Sequence, residues 1–153
     1  MAWALQFDGV NDYCTTTGWT PTSNNWSFEI VFEILSIGGS NAIVISNGSH
    51  TNGIYINYSS TGASNIFCGG QNIGIGTLVT GVQYTAALVS TGGSVEYFIN
   101  NVSAGTKTTT CAPLLGMNFG RRVQTASQYS EVLLETVTFT DNLTPSNSRL
   151  YDA

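Results

Sequence analysis

Charge is what this sequence has least of. Only 8% of its 153 residues are charged, four of them Lys or Arg, and there is a single His. An average soluble domain carries roughly 25% charged residues. Four cations cannot make a phosphate-tracking stripe, so nucleic-acid binding is not expected. Attraction to anionic lipid fails for the same reason. Only Arg121 and Arg122 are adjacent, and they read as a solvated turn. The three cysteines, Cys14, Cys68 and Cys111, show no CxxC spacing, and His50 stands alone. No zinc-type ligand set follows from them. They read as small thiols, two of which could pair, but spacing does not say which. No apolar run nears the roughly 20 residues of a membrane span. The chain opens Met1-Ala2-Trp3-Ala4-Leu5-Gln6-Phe7, without a basic segment leading into an apolar one. Either a leader has been removed or the protein reaches its place without one.

Thr, Ser, Asn and Gly take the place of the missing charge; Gly alone occurs 17 times. These residues suit turns and solvated strand faces, not helices. Period two dominates. In Ser27-Phe28-Glu29-Ile30-Val31-Phe32-Glu33-Ile34-Leu35, the residues Phe28, Ile30, Phe32 and Ile34 share one face. Glu29, Val31 and Glu33 share the other, as in a strand with one face in a core. Further strands are expected at 42–46, 53–58, 65–68, 84–90, 94–100 and 132–140. Turn signals separate them: Gly38-Gly39, Asn47-Gly48, Asn52-Gly53, Gly69-Gly70, Gly92-Gly93 and Asn100-Asn101. Two hairpins are predicted, one through Thr91-Gly92-Gly93 and one at Asn100-Asn101 into 103–108. One short helical turn at Pro145–Tyr151, capped by Thr144, is the most the sequence allows. Many short strands punctuated by Gly and Asn make a single all-β domain over residues 1–153, a sandwich or a barrel.

Four stretches carry a resemblance. They are Ala4-Leu5-Gln6-Phe7-Asp8-Gly9-Val10-Asn11-Asp12-Tyr13, then Trp26-Ser27-Phe28-Glu29-Ile30-Val31-Phe32. The hairpin Tyr84-Thr85-Ala86-Ala87-Leu88-Val89-Ser90 with Val95 to Asn101 follows, and Leu134 to Thr144 closes the chain. In order and spacing they resemble the laminin G-like branch of the concanavalin A-like lectin and glucanase superfamily. That resemblance implies a two-sheet antiparallel jelly-roll sandwich. Tyr84 stands where the family pattern has Trp, Asn101 where it has Gly, and Glu135 where it has Asp. The resemblance speaks for fold, because one fold hosts many functions.

Catalysis is the first chemistry to weigh. Glycoside hydrolysis needs two carboxylates across the scissile bond. The superfamily's glucanases set theirs on one strand as E-x-D-x-E or E-x-D-x-x-E. Here Glu29 and Glu33 flank Val31 at the middle acid's position, and Glu131 and Glu135 flank Leu133. Both read as half-exposed strand faces, and one His leaves no other acid–base set. The expectation is a chain that is not an enzyme. Calcium is the second. Asp8, Asn11 and Asp12 gather hard oxygens in the first turn, and the resemblance implies calcium near a sandwich rim. The plainer reading is an Asx turn. A glycan is the third. Trp19, Trp26, Tyr58 and Tyr129 lie beside turn-like segments rich in Asn and Ser, where rings stack on sugars, although aromatic rings more often pack cores.

The readings that follow are a virion surface protein, such as a bacteriophage capsid decoration or tail-associated protein, and a free-standing lectin-like carbohydrate-binding module. A glucanase is the third and weakest. Self-association or docking on a larger assembly such as a capsid is expected, because sheet edges need cover and few Lys or Pro are present to blunt them. The expected location is a virion surface or the extracellular space.

Overall fold

Alternation along residues 26–34 decides the architecture, because it gives that strand one fully apolar face. The computed structural model describes residues 4–15, 23–37, 42–46, 54–109, 117–120 and 129–141. These residues form strands and turns, with no helix among them. The strands are β1 (Leu5–Asp8), β2 (Cys14–Thr15), β3 (Trp26–Ile34), β4 (Ala42–Ser46), β5 (Ile54–Tyr58) and β6 (Ala63–Cys68). They continue as β7 (Gln71–Thr77), β8 (Gln83–Thr91), β9 (Ser94–Ile99), β10 (Val102–Thr108), β11 (Asn118–Phe119) and β12 (Glu131–Asp141). They pair into two six-stranded sheets, ordered β1-β12-β3-β8-β9-β10 and β2-β11-β4-β5-β6-β7. Every pairing is antiparallel. The chain crosses repeatedly between the sheets, which makes a jelly-roll sandwich of the concanavalin A-like type.

The core lies between the sheets. β3 contributes Trp26, Phe28, Ile30, Phe32 and Ile34, all at most 1% exposed. Its neighbours add Leu88, Tyr97, Val132 and Leu134 from the first sheet, and Ile45, Ile54, Ile56, Ile66 and Phe119 from the second. Each such side chain contributes about 1.5–3 kcal/mol by leaving water. Phe28 packs on Phe139 with centroids 5.3 Å apart, and Phe32 on Tyr84 at 6.0 Å. The tyrosine tips reach the rim. Tyr58 Oη donates to the Ser36 carbonyl at 3.2 Å, and Tyr84 Oη accepts from the Val79 N–H at 2.9 Å. Ala87, Val89 and Phe98 form a smaller buried cluster on the outer face of the first sheet.

Turn chemistry is as the sequence predicts. β8 and β9 close over Gly92 and Gly93, with φ of 61° and 107°, and Thr91 pairs with Ser94. β9 and β10 close over Asn100 and Asn101 at φ of 50° and 64°. Asn100 is tied on both sides: its N–H donates to the Thr85 carbonyl, and its Oδ1 accepts from the Thr85 N–H.

The sheet edges are blunted by shape. β1 and β2 are short edges of four and two residues. On the opposite side, β7 and β10 each carry an irregularity, between Gly74 and Gly76 and between Ser103 and Gly105. The extra residues Ile75 and Ala104 turn toward the core. A bulge that twists an edge and buries its extra residue does the work otherwise done by Lys or Pro. Cys68 is disulfide-bonded, Cys14 is a half-buried free thiol, and Cys111 lies outside the described residues. So does the segment 145–151, expected as a helical turn.

Gly120 is where the sheets are pinned together. Its N–H donates to Val44 and its carbonyl accepts from the Ser130 N–H. Its φ is +77°, and a Cβ there would lie 2.8 Å from the Phe7 ring. Gly120→Ala is expected to cost about 2–4 kcal/mol, adding overpacking to left-handed strain. Gly81→Ala, at φ +72° in open space, isolates the conformational part at about 1–2 kcal/mol. Urea unfolding of both variants checks the difference; equal losses would show that the Phe7 contact is unimportant.

Burial raises Tyr58 from 10.0 to about 12, helped by the charge of Glu131 and opposed by a hydrogen bond with Ser130. Burial alone raises Tyr97 to about 12. A raised folded pKa stabilises below the unfolded value, and that contribution is lost as pH climbs through the folded one. Stability is therefore expected to fall between pH 10 and 12. Tyr58→Phe flattens that slope, as thermal melts across the range would show.

Candidate functional site

The second sheet has an outer face unlike the first. Ile45, Ile54, Ile56, Ile66 and Phe119 turn inward, so by strand alternation their neighbours turn outward. Register then lines up one row across all six strands: Thr15, Asn118, Ser46, Tyr55, Phe67 and Asn72. A second, shorter row is Asn57, Asn65 and Gly74. Tyr55 and Phe67 meet edge to face, 5.4 Å apart and tilted 81°.

Part of this face is buried: Ser46 is 1% exposed, Tyr55 5% and Asn118 7%. Two amide oxygens, Asn57 Oδ1 and Asn118 Oδ1, are buried without a hydrogen-bond partner. A buried acceptor left unsatisfied costs about 1–3 kcal/mol, and native structures rarely tolerate one without a reason. Asn118 stands in the row of Tyr55 and Phe67, with Ser46 between it and Tyr55, and Asn57 stands on the same strand as Tyr55.

Charge is partitioned between the layers. No Asp, Glu, Lys, Arg or His occurs in β2, β4, β5, β6, β7 or β11. Apart from Asp12, every charged residue among those described lies in a strand of the first sheet. Glu29 and Glu33 face outward there, half-buried. Glu135 accepts from Gln83 Nε2 at 2.8 Å with both oxygens, and Glu96 accepts from Ser103 Oγ at 2.6 Å. Beside the β12 irregularity an open hollow of about 270 Å³ is lined by Ala4, Leu5, Leu134, Glu135, Thr136 and Val137.

Of the aromatic residues singled out from sequence, three are described. Trp26 and Tyr58 are core residues, each 1% exposed, and present no ring face to a sugar. Their even positions on the inward faces of β3 and β5 decide this, whatever the composition beside them. Tyr129 is half-buried beside β12, and Trp19 lies outside the described residues. Asn118 was not visible as a site residue, because β11 is only two residues long and carries no period. Tyr55 and Asn57 sit on the predicted strand, and alternation against Ile54 and Ile56 was the available signal.

Asp8, Asn11 and Asp12 share the turn that follows β1. Asp8 Oδ1 already accepts from the N–H groups of Val10, Asn11 and Asp12, at 2.8, 3.2 and 3.4 Å. Among the described residues no three His, Cys, Asp or Glu gather to hold an ion. Those backbone donors, Val10 and Asn11 foremost, hold the Asp8 carboxyl below its ordinary 3.8 against a smaller opposing effect of desolvation.

With the fold and face in view, likeness to known proteins can be placed. The class is a jelly-roll sandwich. Trypanosoma rangeli sialidase in complex with 2,3-difluorosialic acid superposes with a TM-score of 0.71 at 15% identity. It matches over 97% of this chain and 27% of its own. A SAP-like pentraxin from Limulus polyphemus gives 0.62 at 11% identity, over 89% and 72%. An alginate lyase of polysaccharide lyase family 7 gives 0.61 at 16%, over 85% and 63%. The chain thus spans about a quarter of the sialidase's length. At these identities the likeness shows the fold alone. No family model matches the chain, and no curated protein matches it.

These neighbours correct one expectation. The sequence reading held that the chain is not an enzyme. Sialidase and alginate lyase are enzymes that contain this fold. A sandwich of this type therefore does not exclude catalysis. Val31 in place of a middle acid argues only against one hydrolase pattern.

The Asp8 turn yields a test with a definite sign. A carboxylate with a lowered folded pKa stabilises above its unfolded value, and the contribution is lost as pH falls through the folded one. Asp8→Ala is expected to lower Tm at neutral pH, with the gap closing in acid. A gap unchanged at pH near 2 would show that the side chain acts by packing and not by charge.

Proposed function

We propose that the outer face of the second sheet binds carbohydrate, and that the domain serves as a glycan-contacting surface module. The observation that carries this is the uncharged outer face of the second sheet, where Thr15 and Asn72 are exposed and Asn65 and Phe67 half-buried. Amides and hydroxyls bond sugar hydroxyls, and sugar C–H faces pack on rings. The neighbours support the same class of ligand, since their names include sialic acid and alginate.

The motif order of the four stretches supports a laminin G-like relation within this fold. A disulfide at Cys68 supports a setting outside the reducing cytosol. A virion surface is one such setting, and the low charge suits it. Mass spectrometry of purified particles tests this part; absence of the protein from them removes the virion role and leaves the glycan reading standing.

A glycan array followed by calorimetry tests the binding itself. The wild-type chain is expected to bind at least one glycan, and Asn72→Ala or Asn65→Ala to weaken it by about tenfold or more, or about 1.4 kcal/mol. Thermal melts confirm that the variants fold. No binding across the array would end the reading. Product analysis of the bound glycan shows whether it is also cut.

A further inference from the structure

We infer that Cys68 is bonded to Cys111, and that this bond is a clasp holding the β7–β10 edge of the sandwich shut. The chain has three cysteines. Cys68 is disulfide-bonded and Cys14 is a free thiol. That leaves Cys111, outside the described residues, as the partner within the chain. Strand order gives the same answer. Cys14 sits on β2 and Cys68 on β6, four strands along the second sheet, or roughly 19 Å at ordinary strand spacing. A disulfide spans at most about 7 Å between Cα atoms. Cys111 is within reach. Two residues before it, Thr109 Oγ1 donates to the Gly69 carbonyl at 3.2 Å, and the Thr109 N–H donates to the Gly93 carbonyl at 3.0 Å. Two residues of chain cover up to about 7 Å, enough to set Cys111 beside Cys68.

Placement explains what the bond does. Cys68 is wholly buried, on the inward side of β6 in the second sheet. Cys111 follows β10, the outermost strand of the first sheet. The bond therefore ties one sheet to the other at the edge where β7 and β10 approach each other. Apolar packing is thin there. Among the described residues β7 supplies Ile73 and Ile75 to the core and β10 supplies Ala104, against the five inward side chains of β3. Tyr97 Oη reaches across to donate to the Gln71 carbonyl at 3.5 Å. A covalent link supplies at this edge what side-chain volume supplies at the centre. The loop it closes contains β7, β8, β9 and β10, so the bond also narrows the unfolded ensemble.

Forming the bond joins the two sulfurs with loss of two protons and two electrons. A small-molecule disulfide takes them up and leaves as two thiols. A dithiol reverses the exchange and ends as its own disulfide. Reduction is expected to open this edge ahead of the centre, where β12, β3 and β8 pair, because the least packed part of a fold opens first. Peptide mapping tests the pairing. The full chain is equilibrated with oxidised glutathione, alkylated in denaturant without reduction, digested and weighed by mass spectrometry. The expected result is an alkylated Cys14 and a linked Cys68–Cys111 peptide. A link to Cys14, or three alkylated cysteines, would overturn the pairing and the clasp with it.

Thermal melts and hydrogen exchange, with and without dithiothreitol, test the clasp. Reduction is expected to lower Tm by about 10 °C. Exchange in β7 and β10 should rise by about tenfold more than in β3. Cys111→Ser should reproduce both changes without reductant and respond to dithiothreitol no further, while Cys14→Ser should behave as the wild-type chain. An unchanged Tm on reduction, or an equal rise in exchange across all strands, would overturn the clasp even with the bond in place. If Cys111→Ser fails to fold, the wild-type chain compared in its oxidised and reduced forms decides alone.

Discussion

Everything in this molecule hangs on burying one face of each sheet against the other. β3 shows the constraint most sharply. Its even positions are Trp26, Phe28, Ile30, Phe32 and Ile34, all at the heart of the core. A slip of one residue would exchange them for Ser27, Glu29, Val31 and Glu33. That exchange would bury two carboxylates and expose three aromatic rings. Register is therefore fixed on β3 and passed to its partners, β12 on one side and β8 on the other. The irregularities in β4, β7, β10 and β12 are consistent with this. Each adds a residue without moving the inward set away from the core.

The same constraint leaves two outer faces free to differ, and they do. The first sheet carries the carboxylates, satisfied where they need to be by Gln83 and Ser103. The second carries amides, hydroxyls and rings without a charge in any strand. The carboxylates thus sit on one layer, and the sandwich thickness of about 10 Å separates them from the other outer face.

Much of this was legible beforehand. The run from Phe28 to Ile34, the glycine pair at 92–93 and the asparagine pair at 100–101 each state their conformation in local terms. β7 did not, because Gly74 and Gly76 alternate with Ile73 and Ile75, and Gly weakens a strand pattern. β2 and β11 are too short to show a period, and they exist as strands only through their pairing. Two aromatic candidates, Trp26 and Tyr58, were misplaced for a related reason. A Trp or Tyr next to polar turn residues looks exposed, but Trp26 and Tyr58 follow the parity of their strands into the core.

Composition and alternation by themselves determined an all-β domain, sandwich or barrel, its principal hairpins and its scarcity of charge, and the order of the four stretches pointed to the sandwich. These depend on backbone geometry and side-chain period, which act over a few residues. The tertiary structure alone decided which polar residues meet. Asn118, Ser46, Tyr55, Phe67 and Asn72 come from five separate strands, and only cross-strand register sets them in one row. It also decided that the scarce charge, spread along the chain, gathers on one layer. Proximity across a sheet is a product of pairing between distant segments, and no local pattern encodes it.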